Sequence, residues 1–117
     1  MGLFSKKLKE TLEFDERGSY VIAGINKYGL SARDCGTYRG WVFRDKENRY
    51  DKNAVAVFKN ETHIGYLHKE IAKDLAGLVD QQGGRVPALV RIERQYDDYN
   101  QYYYFFGRVQ ILWPDTE

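Results

Sequence analysis

The feature that most constrains this chain is a hydrophobic period of two near its C-terminus. In Val86 to Tyr96, the side chains of Val86, Ala88, Val90 and Ile92 fall on one face of an extended backbone, while Arg91 and Glu93 point away. Side chains alternate across a strand, so the pattern suits a half-buried strand and not a helix. The polar run Asp97-Asp98-Tyr99-Asn100 turns the chain, and Gln101 to Leu112 alternates again. Tyr103, Phe105, Val109 and Ile111 share one side of that strand; Tyr102, Tyr104, Phe106, Arg108 and Gln110 share the other. Long strands expose backbone edges, and a chain of 117 residues has little material with which to cover them. Closing the sheet on itself removes the edges altogether.

Four earlier stretches supply the other strands. Tyr20 to Ile25 is rich in β-formers, and the loop Asn26 to Gly36 follows it with two glycines. Tyr38 to Arg44 alternates, with Arg39, Trp41 and Phe43 on one face and Tyr38, Val42 and Arg44 on the other. Ala54 to Lys59 and His63 to Leu67 flank the short turn Asn60-Glu61-Thr62 and read as a hairpin. Only residues 68–80 change period: Ile71, Leu75, Leu78 and Val79 fall on one helical face, flanked by Ala72 and Ala76. Gly83 and Gly84 follow, suited to a left-handed helix stop. At the other end, Phe4, Leu8 and Leu12 recur every four residues among lysines, as in a short amphipathic helix over 2–13. The expected architecture is mainly β (α+β): a small six-stranded OB-like barrel with one inserted helix and a short N-terminal helix. Its parts are a lead-in over 1–18, the barrel over 19–113 and a tail over 114–117.

Composition narrows the function classes. Hydrophobic residues make up 43% and charged residues 30%, and the formal net charge is +1, so no global field calls for a polyanion. Locally the charge is uneven. Residues 26–60 carry eight cations against four carboxylates, and residues 61–117 carry six against nine. Solvated turns account for such a split as readily as a ligand does. Cys35 has no partner for a disulfide within the chain or for a cysteine zinc site, which fits a reducing, cytoplasmic setting. No signal-peptide pattern and no membrane-length apolar run is present, so no membrane association by a spanning helix is expected. No phosphate-binding loop, nucleophile–base pair or metal-spaced cluster appears; His63 and His68 read as surface or turn residues. The expectation is a non-enzyme without cofactor or metal.

What remains is an aromatic load of 15%, with ten tyrosines, set among cations. Rings that stack bases beside Lys or Arg that neutralise phosphate are how single strands are gripped. Two groups suit this: Tyr102, Tyr104, Phe106 and Arg108, and Tyr28, Tyr50 and Tyr66 with Lys27, Arg49 and Lys69. Tyrosine is also a good strand former that covers cores, so a structural reading stands beside this one. Asp51 is the odd member, a carboxylate among cations that would repel phosphate. It suits either the N–H groups of its own turn or a hydroxyl donor such as a terminal sugar.

The runs "RDKENRYDKNAVAV" and "HIGYLHKEIAKDLAGLV" together resemble the HIRAN domain. Its pattern is matched at Arg44, Asp45, Asn48, Tyr50, Asp51, Asn53, Ala54, Val55 and Val57. It continues at Ile64, Gly65, Tyr66, Leu67, Lys69, Glu70, Ala72, Leu75 and Ala76. The resemblance covers roughly residues 19–112 and implies an OB-like barrel that captures the 3′ end of single-stranded DNA. It implies that Tyr50 and Asp51 meet the terminal nucleotide, with Asp51 on its 3′-hydroxyl, that Lys69 meets phosphate, and that Tyr66 lines the pocket. Tyr104 or Phe106 stands for a late aromatic element of the family. Helicase-type members carry Gly-x-Arg-Tyr-Tyr at the first strand; here Gly24-Ile25-Asn26-Lys27-Tyr28 stands there, with Lys27 and Tyr28 as the counterparts. Lys lacks the bidentate fork of Arg. Two expectations follow: a DNA-end binder, or a barrel that keeps the fold and binds protein, the N-terminal helix offering one surface for a protein partner.

Overall fold

The computed structural model describes residues 13–114. The strands are β1 (Tyr20–Ala23), β2 (Gly36–Arg44), β3 (Val55–Lys59), β4 (Thr62–Leu67), β5 (Arg85–Asp97) and β6 (Tyr102–Ile111), with helix α1 (Lys69–Gln81) between β4 and β5. They close into a barrel in the order β1-β4-β3-β2-β5-β6, every neighbour antiparallel. The expected six-stranded barrel with one inserted helix is what forms. The N-terminal helix expected over 2–13 lies outside the described residues except for Glu13.

Alternation fills the barrel with branched aliphatic side chains. Val42, Val55, Val57, Ile64, Val86, Val90, Ile92 and Val109 are each 1% exposed or less. Each such side chain stabilises the fold by about 1.5–3 kcal/mol relative to exposure. Glycine admits the closest approach of strands: a Cβ on Gly40 would collide with the carbonyl oxygen of Phe58 on β3. One on Gly65 would lie 2.6 Å from the carbonyl oxygen of Ala23 and 2.5 Å from Ile22 Cγ2, where β4 meets β1.

Three features depart from the sequence expectation or go beyond it. β1 ends at Ala23, two residues early, because Gly24 takes a left-handed φ of 78° and Ile25–Lys27 winds into a 3-10 turn. α1 buries the expected face but rotated toward its small residues: Ala72, Ala76 and Val79 are buried, Ile71 and Leu75 pack half-buried against the core, and Leu78 is 45% exposed, so the alanines let the helix pack closely on β2 and β5. The third feature is at β5 and β6, which are as long as expected and outrun their neighbours. β2 leaves β5 at Ile92 and β1 leaves β6 at Arg108, whereas the β5–β6 ladder continues to Asp97 and Tyr102. Tyr103, on the inward side by alternation, is therefore 56% exposed on a two-stranded ribbon beyond the barrel.

Candidate functional site

Residues 45–54 form the loop between β2 and β3, and Arg44 holds it shut. Its side chain donates to the carbonyl oxygens of Lys52 and Ala54, both at 3.2 Å, and pairs with Asp80 of α1 at 3.1 Å. With only 9% of that side chain exposed, the guanidinium is a buried clamp rather than a ligand group. The Asp45 N–H donates to Ala54 O and closes the loop base.

Inside the loop, Asn48 organises the backbone. Its Oδ1 accepts from the N–H of Tyr50 at 2.8 Å and of Asp51 at 2.9 Å. Asp51 Oδ1 accepts from the Asn53 N–H at 2.9 Å, so one carboxylate oxygen serves the turn, as the first of the two sequence readings expected. Tyr50 projects outward, 88% exposed.

The loop is tied to the barrel wall through Tyr66. Its hydroxyl donates to Asp45 Oδ2 at 3.1 Å, and Asn48 Nδ2 reaches the same oxygen at 3.4 Å. Burial pushes the Tyr66 phenol above its ordinary pKa, and the bond to Asp45 pushes it further. A continuous set of contacts thus runs from Tyr66 through Asp45 and Asn48 to the Tyr50–Asp51 backbone.

Tyr28 reaches the same wall from the 3-10 turn after β1. That turn is fastened to β6 by Asn26, whose side chain accepts from the Phe105 N–H at 2.7 Å and donates to Phe105 O at 2.9 Å. The amide acts as a short strand partner for β6, which gives Asn26 a structural role. The Tyr28 ring lies 5.0 Å from that of His63, and His63 lies 4.9 Å from Tyr66. His63 also stacks on Phe58 at 5.1 Å, and Phe58 meets Phe43 edge-on at 6.3 Å. All these separations fall in the range of aromatic contact.

Sequence reasoning passed over His63, Phe58, Asp45 and Asn48 as members of this site. The cause for His63 is a β-bulge. Val57 pairs with Gly65 but Phe58 pairs with His63, so β4 carries one extra residue there. The bulge resets the alternation and puts His63 and Tyr66, three apart in sequence, on one outer face. Strict period-two counting places them on opposite faces.

The remaining candidates make no contact within this set. Lys27 and Arg49 are exposed, and Lys69 is exposed as the first residue of α1. Tyr104 lies beside Asn26 in a shallow hollow and donates to Gln95 Oε1 at 2.7 Å. Phe106 lies in a separate small cleft with Phe14, Arg91 and Arg108. Among the described residues no group of three His, Cys, Asp or Glu side chains could hold a metal ion, and no helix is long and apolar enough to cross a membrane.

No curated protein matches the chain in sequence. In structure it is similar to the crystal structure of the HIRAN domain of human HLTF, with a TM-score of 0.50 and 23% identity, covering 81% of this chain and 80% of that one. The family model for the HIRAN domain matches residues 40–110, which run from within β2 into β6 and include the loop, α1 and the rings of the aromatic wall other than Tyr28. With more than half of its length matched, the chain belongs to the HIRAN domain family.

Proposed function

We propose that the protein is a non-catalytic module that binds single-stranded DNA at a free 3′-hydroxyl end. Family membership points to nucleic-acid binding. The observation that carries the finer reading is the contact set joining Tyr66, Asp45 and Asn48 to the Tyr50–Asp51 backbone. It pre-organises a loop that carries an exposed ring beside a carboxylate, against a wall of further rings. Pre-organised groups lose less entropy on binding.

In this reading Tyr50, Tyr66 and Tyr28 contact the terminal nucleoside, and Asp51 accepts the 3′-hydroxyl proton with the oxygen its turn leaves over. Lys69, Lys27 and Arg49 serve phosphates as point or forked charges. Tyr104, near Asn26, is a further candidate contact, and so is Phe106. Fluorescence anisotropy with matched oligonucleotides tests the proposal. Binding to a 3′-hydroxyl end should exceed binding to a 3′-phosphate end, and Asp51→Asn should weaken the former by about 1–3 kcal/mol. Equal affinity for the two ends overturns hydroxyl recognition.

A second reading, a protein-binding barrel, draws support from the projecting ribbon. Tyr96, Tyr102 and Tyr103 are exposed there, and Tyr99 is 93% exposed at a tip that also carries Asp97 and Asp98. Acidic residues at that tip disfavour a phosphate backbone. Undetectable oligonucleotide binding at low salt, where such affinity is greatest, would decide for this reading.

A further inference from the structure

The aromatic wall does not stop at the loop. From His63 it passes through Phe58 to Phe43 and opens into a cleft of about 330 Å³ lined by Trp41, Phe43, Phe58, Asn60, Glu61 and Arg85. The register explains the convergence. Trp41 pairs with Phe58 across β2 and β3, and Phe43 pairs with Arg85 across β2 and β5, so three strands deliver outward side chains to one place. Arg85 lies with its guanidinium carbon 3.8 Å from the Trp41 ring centre, a cation–π pair. Phe43 is nevertheless 45% exposed, which core packing does not require.

We infer that this cleft is a second base-stacking subsite, which takes a nucleobase of the same single strand upstream of its captured end. The inference rests on the end-binding reading above and extends it. Three observations support a base as the occupant. The cleft is continuous, ring to ring, with the wall that faces the loop. Its size is at the small end of ligand pockets, so it fits one flat heterocycle better than a long helix. Its polar groups suit a base with its phosphate: Glu61 offers acceptors for the amino or imino N–H groups, Asn60 lines the same cleft with an amide, and Arg85 supplies a cation for the adjoining phosphate. A phosphate seated in the cleft itself would meet the Glu61 carboxylate. Strands that grip single-stranded nucleic acid stack successive bases on successive rings in this manner.

The test is an oligonucleotide length series with free 3′-hydroxyl ends, from two to ten nucleotides, read by anisotropy for the whole chain. Phe43→Ser and, separately, Arg85→Ser are compared with the unsubstituted protein; both side chains lie on the surface, and circular dichroism checks their fold. Each variant should match the parent on the dinucleotide and fall behind by about tenfold at ten nucleotides. Parent and variants with the same affinity at every length overturn the subsite while leaving end capture intact. An equal loss at every length, the dinucleotide included, also overturns it, because the residues then serve the end itself. If the parent binds none of the oligonucleotides at low salt, end capture fails and the subsite fails with it.

Discussion

At the scale of single residues, Tyr66 carries more than its place in a strand suggests. Its hydroxyl joins the barrel wall to the loop through Asp45, and its ring forms part of the aromatic row with His63. Tyr66→Phe keeps the ring and removes the bond. The expected cost is about 1–2 kcal/mol of folding stability, since the acceptor is a carboxylate, together with weaker end binding as the loop loosens. The pH dependence follows from the raised phenol pKa. A group whose pKa is higher in the folded state stabilises fully below its unfolded value, about 10 for tyrosine, and loses that contribution as pH rises through the folded value. Urea unfolding of parent and variant should therefore differ by a constant amount from pH 6 to 9 and converge above about pH 10. A difference that persists unchanged at pH 11 would overturn the raised phenol pKa as the link between this hydroxyl and stability. Asp51 was legible as an anomaly in the sequence because it is an acceptor among cations. That one of its oxygens already serves Asn53 was not legible, because it depends on the loop's path.

At the scale of elements, the β4 bulge is what assembles the site. It brings His63 onto the face of Tyr66, and Gly65 within it lets the β1 backbone come close. Gly65→Ala forces a Cβ against Ala23 O and Ile22 and should cost about 2–3 kcal/mol. Gly77 offers the opposite case. It lies exposed inside α1, a Cβ there meets nothing within 4 Å, and Gly77→Ala should stabilise by about 0.5–1 kcal/mol. Denaturant midpoints for the two variants should move in opposite directions. α1 was legible from its period, and Val79 with the flanking Ala72 and Ala76 is buried as that period implies. What was not legible is that Leu78 stays 45% exposed while the alanines lie innermost, which close packing on β2 and β5 decides. The first strand was read two residues too long because a φ of 78° at Gly24 ends it, and glycine permits that conformation without announcing it.

At the scale of the molecule, a net charge of +1 limits how binding can work. So small a net charge gives little overall attraction for a polyanion, and on the proposed reading affinity for a strand comes from stacked rings and a few phosphates near the end. With Lys27, Arg49 and Lys69 at the end and Arg85 at the proposed upstream subsite as partners, about four phosphates are neutralised. The slope of log affinity against log salt should then be no steeper than about −3. A titration from 50 to 300 mM salt measures it, and a slope near −5 would replace the end pocket with a diffuse electrostatic surface. Local order along the chain determined much on its own account: the two-residue alternation, the lone helical period and the glycine stops follow from near-neighbour sterics and from which side chains avoid water. The two motifs that mark the family lie within continuous runs, so they too could be read without a structure. Barrel closure, the ribbon that outruns it, and the meeting of Tyr28, Phe58, His63 and Tyr66 with the 45–54 loop were decided only in three dimensions. Each depends on register between strands far apart in sequence, and one bulged residue resets which side chains share a face.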